Sequence, residues 1–172
     1  RLALDMMTRE KGFIALSVPV LVRESAMVGT GFFPAGREQT YHVQEDNLFL
    51  TGTAEVGLTA YHMDEVLNEA DLPLKYTAVS TCFRREAGAA GKDTKGVYRI
   101  HQFQKVGQVV IGPADADSSR RFHDEIIKNS EDVLRALELP YRVVDVCGGD
   151  LGLSQVRKYD IETWMPSRKN YG

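Results

Sequence analysis

Two long strand-forming stretches dominate the centre of the chain, residues 74–86 and residues 97–111, with a small, glycine-rich and basic segment between them. The first is rich in Tyr, Thr, Val and Phe, the residue types that suit a pleated, half-buried surface. Two such stretches joined by a short loop predict an antiparallel hairpin, because parallel pairing would need a crossover of a dozen or more residues. After the hairpin, the segment 115–137 carries Phe122, Ile126, Ile127, Val133, Leu134 and Leu137 at the spacing of an amphipathic helix. Helices packed on a mainly antiparallel sheet make the expected fold class α+β.

The remaining elements are shorter. A helix is expected over 2–11, ended by Gly12, and a strand over 13–18, stopped by Pro19, which has no N–H to give a sheet. A short helix over 23–28 leads into Gly29-Thr30-Gly31, and short strands are expected at 41–43 and 47–50. Thr53 is placed to cap a helix running to about residue 68, weakened by Gly57. After the long helix, Pro140 precedes a buried strand over 141–146, and a last strand covers 159–165 against Pro166.

Composition excludes several classes. The 172 residues are enough for one domain with a sizeable core, and no apolar run reaches the length needed to span a bilayer. Cys82 and Cys147 lie far apart without a metal-ligand spacing, so a reduced, cytoplasmic protein is expected. A net charge of −3 gives the chain no general attraction for nucleic acid.

Residues two apart on a strand share a face. Arg84 and Glu86 are therefore expected on one side of the first strand, and Arg99, His101, Phe103, Lys105 and Gly107 on one side of the second. Charge of this kind in the middle of a sheet fits either a solvated face or a ligand site. Arginine forks suit phosphate or carboxylate, and a Phe ring suits a flat base, so the set beside a glycine-rich basic loop favours a nucleotide.

Other signals read as structure. Gly88-x-x-Gly91-Lys92-Asp93-Thr94 has too short a glycine spacing for a phosphate-binding P-loop, and Asp93 stands where a hydroxyl should meet Mg²⁺. The four histidines have no ligand spacing, so no metal site is expected. Asp115-Ala116-Asp117 reads as helix capping, Cys82 and Trp164 as core.

The run Thr81-Cys82-Phe83-Arg84-Arg85-Glu86-Ala87-Gly88-Ala89-Ala90-Gly91-Lys92-Asp93-Thr94, continuing through His101-Gln102-Phe103-Gln104-Lys105-Val106, closely resembles motif 2 of the seryl-tRNA synthetases, which are class II aminoacyl-tRNA synthetases. Thr53-Ala54-Glu55 resembles that family's serine-binding loop, and the segment around Val18-Pro19-Val20-Leu21 resembles class II motif 1. Leu137 to Val144 and Gly149-Asp150-Leu151-Gly152 also match, so the resemblance covers essentially the whole chain as a partial class II catalytic domain, 1–172.

The resemblance implies ATP-dependent activation of serine to seryl-adenylate, followed by transfer to tRNA(Ser). Arg84 and Glu86 would be the catalytic pair, Arg84 holding the α-phosphate and the substrate carboxylate and Glu86 the adenine side of ATP. Arg85 belongs to the same ATP-binding set. Phe103 would stack on the adenine, Ile100 line its pocket, and Arg99 meet the outer phosphates. Thr53, Ala54 and Glu55 would receive serine, and Mg²⁺ would accompany ATP on phosphate oxygens. The loop from Ala87 to Tyr98 would change shape between adenylate formation and contact with the tRNA end. Pro19 would lie at a homodimer interface.

One position departs from the pattern: Gly107 stands where the family has a serine-binding glutamate, which bears on serine affinity and on rejection of alanine or glycine. Gly57 also departs, and reads as structural. Both ends read as cut, with motif 3 and the N-terminal coiled-coil arm absent, so this piece alone is expected to be weakly active or inactive. The departure at Gly107 keeps two alternatives open, a synthetase-like paralogue that binds nucleotide without charging, and a ligase passing another small amino acid to a carrier protein.

Overall fold

The computed structural model describes residues 1–87, 98–152 and 154–172. The chain divides into two compact units, one comprising Arg1 and Ala3–Pro113, the other Leu2 and Ala114–Gly172. The first begins with α1 (Leu2–Arg9), β1 (Ile14–Ala15), β2 (Leu21–Arg23), α2 (Glu24–Gly29), β3 (His42–Val43), β4 (Leu48–Leu50) and α3 (Glu55–Thr59), and closes with β5 (Leu74–Phe83) and β6 (Gln102–Ile111).

The expected hairpin is its backbone. Strands β5 and β6 pair antiparallel in unbroken register from Leu74 opposite Ile111 to Phe83 opposite Gln102. Strand β1 adds parallel to β5, Ile14 opposite Tyr76, and Leu16 N–H still donates to Thr77 O at 2.9 Å before the chain leaves for Pro19. The strand expected over 13–18 is thus only two residues long. A second small sheet has the order β2-β4-β3, antiparallel throughout.

Paired residues share a face, so Tyr76, Ala78, Ser80 and Cys82 lie on the same side as Phe103, Lys105, Gly107 and Val109. Helix α3 covers the apolar end of this face. Ala54 and Leu58 pack with Tyr76 and Ala78, flanked by Val18, Val109 and Ile111. Val22, Met27, Phe33, Phe49 and Val56 form a second core cluster, with the Phe33 and Phe49 rings edge to face at 5.1 Å.

The helix expected from Thr53 to about residue 68 is one of the larger corrections. It runs only over α3 and a 3₁₀ turn, Ala60–His62, and Asp64 then takes a left-handed φ of 65° that no helix continues through. Thr53 does not cap it, because its hydroxyl is engaged by Lys105 instead. Gly57 is structural, as expected: a Cβ there would sit 2.7 Å from Val18 Cβ. Gly57→Ala forces that contact apart, a cost of about 1–3 kcal/mol for overpacking against about 1 kcal/mol gained in helix propensity. The expected net result is a lower thermal unfolding midpoint, whereas a raised midpoint would show that Val18 yields freely.

The second unit holds α4 (Ala116–Ala136), β7 (Tyr141–Asp145), β8 (Tyr159–Met165) and β9 (Asn170–Tyr171), the strands in antiparallel order β7-β8-β9. Asp115 caps α4 as expected, its Oδ1 accepting from Ser118 N–H at 2.8 Å, and that hydrogen bond holds the carboxyl below its ordinary pKa. Strand β7 is not the buried strand its apolar residues suggested, since Arg142 and Val143 are exposed. Trp164 is not core either. It is 37% exposed and meets Tyr171 edge to face at 5.2 Å. Among the described residues no helix is long and apolar enough to cross a membrane.

Candidate nucleotide and amino-acid site

The ladder of β5 and β6 ends at Phe83 opposite Gln102, and one further bond, from Arg84 N–H to His101 O at 3.0 Å, closes it. The expected strands reached further, to residue 86 and from residue 97. Arg84 and Glu86 are therefore not aligned by strand alternation. Glu86 instead takes a left-handed φ of 53°, costly for a residue with a Cβ. Of the loop Ala87 to Tyr98, which the resemblance implies changes shape, residues 88–97 lie outside the described residues.

Beyond the end of the ladder, Arg84, Glu86, Tyr98, Arg99, Ile100 and Phe103 line one cavity of about 380 Å³. The Arg84 guanidinium lies 5.2 Å from the centre of the Phe103 ring, and Arg99 Nε donates to the Glu86 carboxylate. An aromatic face thus stands beside two guanidinium groups and one carboxylate. A second cavity of about 290 Å³ shares Arg84, Glu86 and Arg99 and is otherwise walled by Met27, Phe32, Gln39 and Thr40 among others. Of the residues expected here, Arg85 is not brought in. Its N–H donates to Gln39 O and its side chain to Glu38 O. His101 also leaves the face, pairing its Nδ1 with Tyr41 OH at 2.7 Å.

Further along the same face lies a compact polar cluster. Lys105 Nζ is 2.9 and 3.0 Å from the two oxygens of Glu55 and donates to Thr53 Oγ1 at 3.1 Å. Thr53 and Ala54 are buried. Gly107 is buried directly under Glu55, since a Cβ at 107 would stand 3.0 Å from Glu55 Oε1 and 3.3 Å from Ala54 Cβ. A side chain at 107 would crowd the Glu55 carboxylate and Ala54 Cβ, so it needs the Glu55 side chain to shift. Sequence reading placed Lys105 on the right face yet gave it no role. Its spacing of two from both Phe103 and Gly107 was the available signal.

Pro19 lies away from this site, exposed, in the wall of an open groove of about 460 Å³ formed with Val18, Leu21, Tyr61, Met63 and their neighbours. Among the described residues no group of three or more His, Cys, Asp or Glu side chains is gathered to hold a metal ion.

The family model described as the tRNA synthetase class II core domain (G, H, P, S and T) matches residues 40–172. The serine–tRNA ligase of Mycobacterium avium is 48% identical over 163 residues, which are 94% of this chain and 38% of that protein. The serine–tRNA ligase of Mycobacterium ulcerans is 46% identical over 172 residues, 99% of this chain and 39% of that protein. Among solved structures, seryl-tRNA synthetase from Pyrococcus horikoshii complexed with ATP matches with a TM-score of 0.93 and 46% identity, over 99% of this chain and 38% of that one. The cytoplasmic serine–tRNA ligase from Naegleria fowleri in complex with AMP matches with a TM-score of 0.90 and 34% identity, over 99% and 40%. This chain therefore spans about two fifths of the length of these relatives. With the class II core model covering most of its length and a mixed, mainly antiparallel α+β fold, the chain belongs to the class II tRNA synthetase core-domain family.

Proposed function

We propose that this chain carries the ATP and amino-acid pockets of a serine–tRNA ligase. The observation that carries the reading is the cavity walled by Arg84, Glu86, Arg99, Ile100 and Phe103, in which an aromatic face and paired guanidinium groups converge. Adenine stacks on Phe103 beside Ile100, and Arg84 meets the α-phosphate and the incoming carboxylate. Glu86 faces the adenine, and Arg99, displaced from Glu86, meets the outer phosphates. The relative solved with ATP supports this choice of nucleotide.

Adenylate formation by this route needs no protein nucleophile. The serine carboxylate attacks the α-phosphorus in line, the bond to the bridging oxygen breaks, and pyrophosphate leaves with its electron pair. The site's task is to hold the two reactants in line and to neutralise charge building on the phosphate oxygens, which Arg84 does. Mg²⁺ would accompany ATP, held mainly by phosphate oxygens and neutralising their charge. Thr53 and Glu55 receive the substrate ammonium, with Ala54 between them against Gly107. The whole ligase then passes serine to tRNA(Ser), as a cytoplasmic homodimer joined along the Pro19 groove, where Leu21, Tyr61 and Met63 are exposed.

A second reading has one specific observation behind it. Gly107 puts no carboxylate where a serine hydroxyl would be recognised, which favours a relative that binds nucleotide with little amino-acid selectivity. Calorimetric titration with non-hydrolysable seryl-, alanyl- and glycyl-adenylate analogues separates the two. Preference for the seryl form by about tenfold or more, the weight of one satisfied polar contact, is the expected result. Equal affinity for all three would assign the chain to the less selective alternative.

A further inference from the structure

We propose that Gln39 is a positioning residue that clamps the segment 84–87 and so aims Arg84 and Glu86 into the nucleotide cavity; the inference rests on reading that cavity as the ATP site. Past Arg84 the chain has left the β5–β6 ladder, and its backbone groups need other partners. They find them on the 3₁₀ turn Arg37–Gln39. Arg85 N–H donates to Gln39 O at 2.8 Å. Ala87 N–H donates to Gln39 Oε1 at 3.1 Å, and Gln39 Nε2 donates to Ala87 O at 2.7 Å.

A side-chain amide offers one acceptor and a donor in nearly the arrangement of a peptide group. Gln39 therefore meets the chain at Arg85 through its backbone and at Ala87 through its side chain, as a neighbouring strand would. The residue between those two anchors is Glu86, whose left-handed backbone persists only where its surroundings over-determine it. Held this way, the Glu86 side chain is only 12% exposed and is turned to Arg99.

The clamp is itself braced. Gln39 N–H donates to Gly36 O at 3.1 Å, Thr40 Oγ1 donates to the same carbonyl at 2.8 Å, and the Arg37 guanidinium lies over the Phe33 ring at 4.5 Å. The turn is thus tied to the core cluster that holds Phe33. No shorter side chain at 39 reaches Ala87, and an apolar side chain of equal length supplies neither bond.

The test is Gln39→Met, which keeps the volume and removes both side-chain hydrogen bonds, read by amide hydrogen exchange at Ala87 and by the ATP dissociation constant of this chain. Exchange at Ala87 is expected to accelerate about tenfold, as for one lost hydrogen bond, while amides inside β5 keep their protection. The ATP dissociation constant is expected to rise about five- to tenfold, on the order of one net hydrogen bond. Unchanged exchange at Ala87 would overturn the clamp. Faster exchange with unchanged ATP affinity would reduce it to a structural tie and overturn the positioning role. A wild-type chain that binds no ATP would instead refute the nucleotide reading, and the clamp's purpose with it.

Discussion

Arg84→Ala is expected to weaken ATP binding by about 10- to 100-fold, the weight of a lost charge-assisted contact to phosphate. The side chain is exposed and lies over the Phe103 ring at 5.2 Å, so its removal leaves the core untouched. Thermal stability should therefore stay near wild type while affinity falls. Arg84→Lys should recover only part of the loss, because an ammonium keeps the charge and loses the planar fork. In the complete ligase the same alanine variant should abolish ATP–pyrophosphate exchange. Calorimetry on the chain and exchange in the ligase both check this, and wild-type values in either would remove Arg84 from the site.

Glu55→Ala carries the second large effect, on the amino-acid half. Its carboxylate is the counter-charge of Lys105, and the proposed function makes it, with Thr53, the receiver of the substrate ammonium. Without it the pocket keeps the Lys105 cation alone and repels a second ammonium. Affinity for a seryl-adenylate analogue should drop by about 10- to 100-fold, as for one lost charged hydrogen bond. ATP affinity should stay within about twofold, since Glu55 does not line the nucleotide cavity. An equal fall for both ligands would mean that the change acts through the fold. Unchanged analogue binding would move the ammonium site elsewhere.

The hairpin was legible because its signal is local composition, and residues 74–83 and 102–111 pair without a bulge. Helix α4 was legible for the same reason, with its cap at Asp115 readable in one residue. What failed were the ends. Strand propensity continues through Arg84 and Arg85, yet the ladder stops at Phe83 because residues 85–87 bond to the turn at 37–39, a contact between segments far apart in sequence. Thr53 looked like a cap, and no sequence rule weighs a cap against a lysine fifty-two residues away. Trp164 and Val143 looked like core because apolar type is a sign of burial only on average.

The candidate site divides in the same manner. Arg84, Glu86, Arg99, Ile100 and Phe103 do meet in one cavity, although alternation along continuous strands was the wrong reason for expecting it. Thr53, Glu55 and Gly107 also meet, and the ion pair with Lys105 that joins them could not be read from spacing alone. Gln39 carried no signal, being one polar residue in a polar turn.

The most direct test is a crystal structure of this chain with ATP. The adenine should lie on the Phe103 ring with the α-phosphate at Arg84, and Arg99 should have turned from Glu86 to the outer phosphates. ATP seated instead in the neighbouring cavity against Phe32 and Met27, or absent from both, would contradict the assignment of these residues to an adenylate-forming site.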